Sequence, residues 1–120
     1  MPTSVHIIIP PGLARALFAG RPLGDHLLAV TAEAGLVSSR APGPLVVLDG
    51  LFAAVSPESL RRLADTLASR GGVLRTEDGR VVGTAMLWGD PAADPRQLLS
   101  STDGAELTVP EKEAIRVEDA

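Results

Sequence analysis

A chain of 120 residues fits one domain and is long enough for a real core, and a hydrophobic share of 45% argues against disorder. Aromatics are only 2%, the net charge is −4 and Arg61-Arg62 is the only adjacent basic pair, so base stacking and phosphate neutralisation are both disfavoured and no nucleic-acid partner is expected. The absence of cysteine excludes disulfides and thiolate metal sites.

The N-terminus has no basic segment, and its apolar run is too short for a signal peptide or a membrane span. A cytoplasmic location and no membrane partner are therefore expected. Cationic residues are arginine almost throughout, with Lys112 the only lysine. With many Ala, Gly and Pro, this composition fits a GC-rich bacterial genome.

Val5 to Ile9 is a continuous apolar run ended by Pro10-Pro11-Gly12, which predicts a buried strand entering a turn. His6 lies in that run and reads as a structural histidine. Leu13 to Phe18 suggests a short helical turn, broken by Gly20-Arg21-Pro22. From Pro22 to Ala34, Leu23, Leu27, Val30 and Ala34 recur at three- and four-residue spacing, which predicts an amphipathic helix stopped by Gly35. Ser38 to Pro44 reads as a loop and Leu45 to Leu48 as a second buried strand, halted at Asp49-Gly50.

Ser56-Pro57-Glu58 combines a capping hydroxyl, a first-turn proline and an early acid, and predicts a helix start. Leu60, Leu63, Ala64 and Leu67 form its apolar stripe, and Gly71-Gly72 ends it. Val73 to Thr76 and Arg80 to Leu87 flank Asp78-Gly79, a hairpin signal. Trp88 to Ser101 reads as loop with one weak helix. Leu107 to Val109 and Ala114 to Val117 read as short closing strands. The order predicts a small Rossmann-like α/β fold: a mixed, mostly parallel sheet with flanking helices and one β-hairpin. A single domain is expected over residues 1–117, followed by an acidic tail at 118–120.

Two stretches carry a family resemblance. Ala19-Gly20-Arg21-Pro22-Leu23, with His26-Leu27-Leu28 and Ala34-Gly35-Leu36, precedes Ser56-Pro57-Glu58-Ser59-Leu60 and Asp78-Gly79-Arg80-Val81-Val82-Gly83. In this order they resemble the sugar-phosphate and molybdopterin nucleotidyltransferases, which have a GT-A-like α/β fold. The resemblance covers about half of the chain, and no single motif in it is specific.

The resemblance implies a glycine-rich phosphate loop after the first strand, a basic side chain and an aspartate holding Mg²⁺ after the second buried strand. By position these map to Gly12, Arg15, Arg21 and Asp49. The sequence departs from the pattern at each element. Pro10 to Arg15 holds a single glycine, where a triphosphate cradle needs a run of inward N–H groups. Ungapped alignment on Ser56-Pro57-Glu58 puts Leu51 at the metal aspartate's place, with Asp49 two residues earlier. The second half of the family's fold is missing, with Ala114 to Asp119 similar to its closing strand.

The expectation is therefore a degenerate nucleotidyltransferase-like domain, a pseudoenzyme acting as a binding or assembly subunit without a cofactor. One alternative is a minimal enzyme or phosphate-ligand binder using Gly12, Arg15, Arg21 and Asp49, with Mg²⁺ on Asp49. Another is a small regulatory α/β module. The apolar run Leu51-Phe52-Ala53-Ala54-Val55 is oddly apolar for a phosphate site, so Leu51, Phe52 and Val55 are expected to form an interface with a second copy or a partner protein. His6 and His26 have no acids at a metal-supporting spacing, and Asp25-His26 reads as a surface pair.

Overall fold

The computed structural model describes residues 3–9, 17–18, 20–38, 42–90, 94–99 and 104–114. Strands are β1 (Thr3–Ile8), β2 (Leu17–Phe18), β3 (Arg21–Pro22), β4 (Leu36–Ser38), β5 (Gly43–Asp49), β6 (Gly72–Arg75), β7 (Val81–Gly89) and β8 (Ala105–Thr108). Helices are α1 (Leu23–Glu33), α2 (Pro57–Asp65) and α3 (Pro95–Leu99).

Six strands form one sheet in the order β4-β1-β5-β7-β6-β8. The β1/β4, β1/β5 and β6/β8 ladders are parallel, and β7 is antiparallel to both of its neighbours. Five strands thus share one direction, and β7 alone runs against them. This is the mixed, mostly parallel α/β sheet expected from the element order. The small ladder β2/β3 stands apart from it.

Helices cover both faces. On one face, Leu23, Leu27 and Val30 of α1 and Leu60 and Leu63 of α2 pack in one cluster with Val5, Val46, Leu48, Leu74, Val82 and Ala85. Strand alternation turns Val47 and Thr84 to the other face, where the Thr84 hydroxyl donates to the Leu98 carbonyl of α3 at 3.3 Å. Residues Val47 and Val73 are fully buried without a place in the first cluster, so both faces of the central strands are covered. Among the described residues, no helix is long and apolar enough to cross a membrane.

Local chemistry explains the best-defined elements. Ser56 Oγ accepts the Ser59 N–H at 3.1 Å, and Pro57 fills the first helical position of α2. In the β6–β7 connection, Gly79 adopts φ +92°, Thr76 N–H donates to Arg80 O at 2.8 Å and Gly79 N–H donates to Thr76 O at 3.0 Å.

Two expectations need correction, and a third falls mostly outside the described residues. Leu17–Phe18 does not belong to a helical turn: it pairs antiparallel with Arg21–Pro22, and the preceding residues 10–16 lie outside the described residues. The span read as a loop from Ser38 to Pro44 is entered by strand at both ends, β4 closing on Ser38 and β5 opening on Gly43. A strand of three residues is too short to show alternation, so only pairing with β1 reveals it. Ala114 follows a 3₁₀ turn at Glu111–Glu113 and opens no strand, whereas residues 115–117 lie outside the described residues.

Candidate functional site

β1 connects through α1 to β4 on one side, while β5 connects through α2 to β6 on the other. The carboxyl ends of β1 and β5 therefore flank the topological switch point, where open α/β sheets hold their ligands. Asp49 is the last residue of β5, opposite Ile8 in the ladder, and is half-buried.

The geometry around Asp49 is that of a closed turn. Its Oδ1 accepts the Leu51 N–H at 3.0 Å. This is an Asx turn, in which the carboxylate completes the hydrogen bonding of its own backbone. Gly50 N–H donates to Ile8 O at 2.8 Å, which extends the β1/β5 contact one residue past Asp49. A Cβ on Gly50 would stand 2.7 Å from Ile8 O and 2.8 Å from Ile9 Cγ1. Only a glycine fits between the two strands here.

Beyond Gly50 the chain turns inward. Leu51, Phe52, Ala53 and Val55 are all buried, with Phe52 only 1% exposed. The expectation of an interface at Leu51, Phe52 and Val55 is corrected on this point: these side chains pack within the chain and leave almost no surface for another to cover. Sequence alone could not tell an apolar plug from an apolar patch, because the two have the same composition. Arg80 stacks over the Phe52 ring with its guanidinium carbon 5.5 Å from the centroid. On α1, His26 is half-buried and its Nε2 hydrogen-bonds Ala53 O at 3.0 Å, fastening the plug to the helix. His26 is therefore a positioning residue for the loop and not a plain surface group.

Of the other predicted ligand residues, only Arg21 is among the described ones. Arg21 is exposed in β3, paired with Phe18. Gly12 and Arg15 lie outside the described residues. No group of three or more His, Asp or Glu side chains among the described residues is placed to hold a metal ion. His6 is half-buried on β1 and lines a shallow groove with Ile7, Ile9 and Leu28.

A second feature escaped sequence reasoning. The first turn of α2 also lies at the carboxyl edge of the sheet, because the plug leads directly from β5 into it. Glu113, only 5% exposed, reaches this turn from the far end of the chain. Its Oε1 accepts the Ser56 N–H at 2.7 Å and the Ser59 hydroxyl at 2.8 Å. These short, charge-assisted bonds satisfy donors that the helix start leaves open. A cleft of about 440 Å³ opens beside them, with Glu58 and Arg62 on the α2 side and Pro110 and Lys112 on the other. Nothing local signals this pairing, since the partners are 57 and 54 residues apart in the chain.

The chain matches no known protein family, and no curated protein or solved structure shows significant similarity to it.

Two ion pairs lie on the β6, β7 and β8 side of the sheet. Arg75 approaches Glu106 at 3.7 Å on neighbouring strands β6 and β8. In the hairpin turn, Arg80 pairs with Asp78 at 3.2 Å. The Thr76 hydroxyl, which donates to Asp78, is the main cause holding that carboxyl below its ordinary pKa of 3.8, with Arg80 adding to it.

Proposed function

We propose that this chain is a noncatalytic α/β binding or assembly domain, a degenerate relative of the nucleotidyltransferases in which the reaction centre has become part of the core. The observation that carries the reading is the buried apolar loop on the β5 side of the switch point. Gly50 continues the β1/β5 contact, Asp49 closes its own turn through Leu51, and Phe52 and Val55 fill the space beneath. Nucleotidyl transfer needs a triphosphate, a bound Mg²⁺ and donors aimed at developing charge. An apolar plug at that position supplies none of these. Support for assembly comes from β4, a three-residue edge strand with Val37 41% exposed, and from Trp88, 72% exposed at the end of β7.

Calorimetric titration with nucleoside triphosphates and Mg²⁺ tests this reading, and no Mg²⁺-dependent binding is expected. A second reading is favoured by one observation: Asp49 is an acid at the carboxyl end of β5, beside β1. In that reading the chain binds a nucleotide or phosphorylated ligand through Mg²⁺ on Asp49. Clear Mg²⁺-dependent binding that disappears in Asp49→Ala would replace the scaffold reading with this one. Sedimentation at micromolar concentration tests assembly, with self-association expected and a strict monomer counting against it.

A further inference from the structure

We infer that the Pro110–Ala114 turn is a hinged clasp over the first turn of α2, pinned by Glu113 and able to open without the sheet unfolding. The two walls of the cleft beside Glu113 differ in how they are held. On one side, α2 is anchored by Leu60 and Leu63, both fully buried in the main core. On the other, Pro110, Glu111 and Lys112 are exposed, and the turn's own bonds run from Glu113 N–H to Pro110 O and from Ala114 N–H to Glu111 O. Those bonds shape the turn and do not attach it to anything.

Among the described residues its attachments lie at the two ends, where Val109 belongs to the main core and Ala114 packs against it. At the hinge, Val109 is 1% exposed and its N–H donates to Arg75 O at 2.9 Å. At the tip, Glu113 bonds Ser56 and Ser59, and Arg80 donates to Ala114 O at 3.3 Å. The Glu113 carboxylate is thus the only charged group joining the turn to α2 among the described residues. Segments with few buried apolar contacts open at free energies below that of global unfolding. When the clasp lifts, Ser56 N–H and the Ser59 hydroxyl lose their acceptor and the cleft loses its movable wall. The β5 strand, buried on both faces, is untouched by this motion.

Native-state hydrogen exchange on the full chain, with Glu113→Gln as the variant, tests the clasp. A glutamine keeps the shape and an acceptor oxygen but removes the charge, so the fold is retained. In the wild type, the Ser56, Glu113 and Ala114 amides are expected to exchange faster than those of Val47 and Leu48. In Glu113→Gln they are expected to accelerate by a further ~10-fold to 100-fold, the worth of a charge-assisted bond, with Val47 and Leu48 unchanged. Ser59→Ala, which removes one of the two bonds and leaves the charge, is expected to produce a smaller acceleration at the same amides. Exchange of all these amides at one common rate in the wild type would overturn the inference. So would equal acceleration everywhere, or none at Ser56, in Glu113→Gln.

Discussion

Replacing Phe52 by alanine separates a core plug from an interface patch. Among the described residues Phe52 is the largest fully buried side chain, and it lies in the apolar loop that follows β5. Truncation removes the transfer free energy of the ring and leaves a cavity, which together cost about 3–5 kcal/mol for a buried Phe. The contact with Arg80, at 5.5 Å, adds ~0.5–1 kcal/mol because that side chain is partly exposed. Against a total stability of about 5–15 kcal/mol for a small domain, the variant should be severely weakened, with a fall in Tm of roughly 10–20 °C. Urea denaturation followed by far-ultraviolet circular dichroism is the assay. The single tryptophan, Trp88, is 72% exposed and reports poorly on burial. Measuring at two protein concentrations isolates any contribution from association. Loss of stability at both concentrations is expected. An unchanged midpoint, within ~0.5 kcal/mol, combined with weaker association would place Phe52 on an interface and refute its core assignment.

Two further substitutions probe the same edge and the hairpin. Gly50→Ala should destabilise by about 1–3 kcal/mol, since its Cβ would meet the Ile8 carbonyl at 2.7 Å and that atom belongs to a paired strand; a neutral effect in thermal denaturation would mean that β1 and β5 part freely there. Asp78 has a folded-state pKa below its ordinary 3.8, so its stabilising contribution is present above that value and is lost as pH falls through the lowered one. Asp78→Asn should therefore lower stability slightly at neutral pH and not in acid, which flattens the acid limb, and the change is small because the group is exposed. A steeper acid limb in the variant would contradict that sign.

Local signals explain why much of the fold was legible. Ser56-Pro57 marked the start of α2 because a cap and a first-turn proline act within a few residues. The Leu23, Leu27 and Val30 spacing marked α1 because one helical face must meet the core. Asp78-Gly79 marked the β6–β7 turn because Gly79 takes a positive φ. β4 was missed because three residues carry no period, and β7 was placed short because its end at Leu87-Trp88 is exposed and so does not look like a buried strand.

The site divides along the same line. Residue types and spacing alone determined that an acid, Asp49, ends a buried strand, and that an apolar run follows it. Tertiary structure decided which way that run faces. Leu51 to Val55 turn inward because Gly50 lets β5 close against β1 and because α1, through His26, and Arg80 cover the loop. Only the folded chain brings Glu113 to Ser56, since a contact across 57 residues depends on where β8 ends beside β6 and not on any neighbour in sequence. Composition specifies what is to be buried, whereas chain path decides against what.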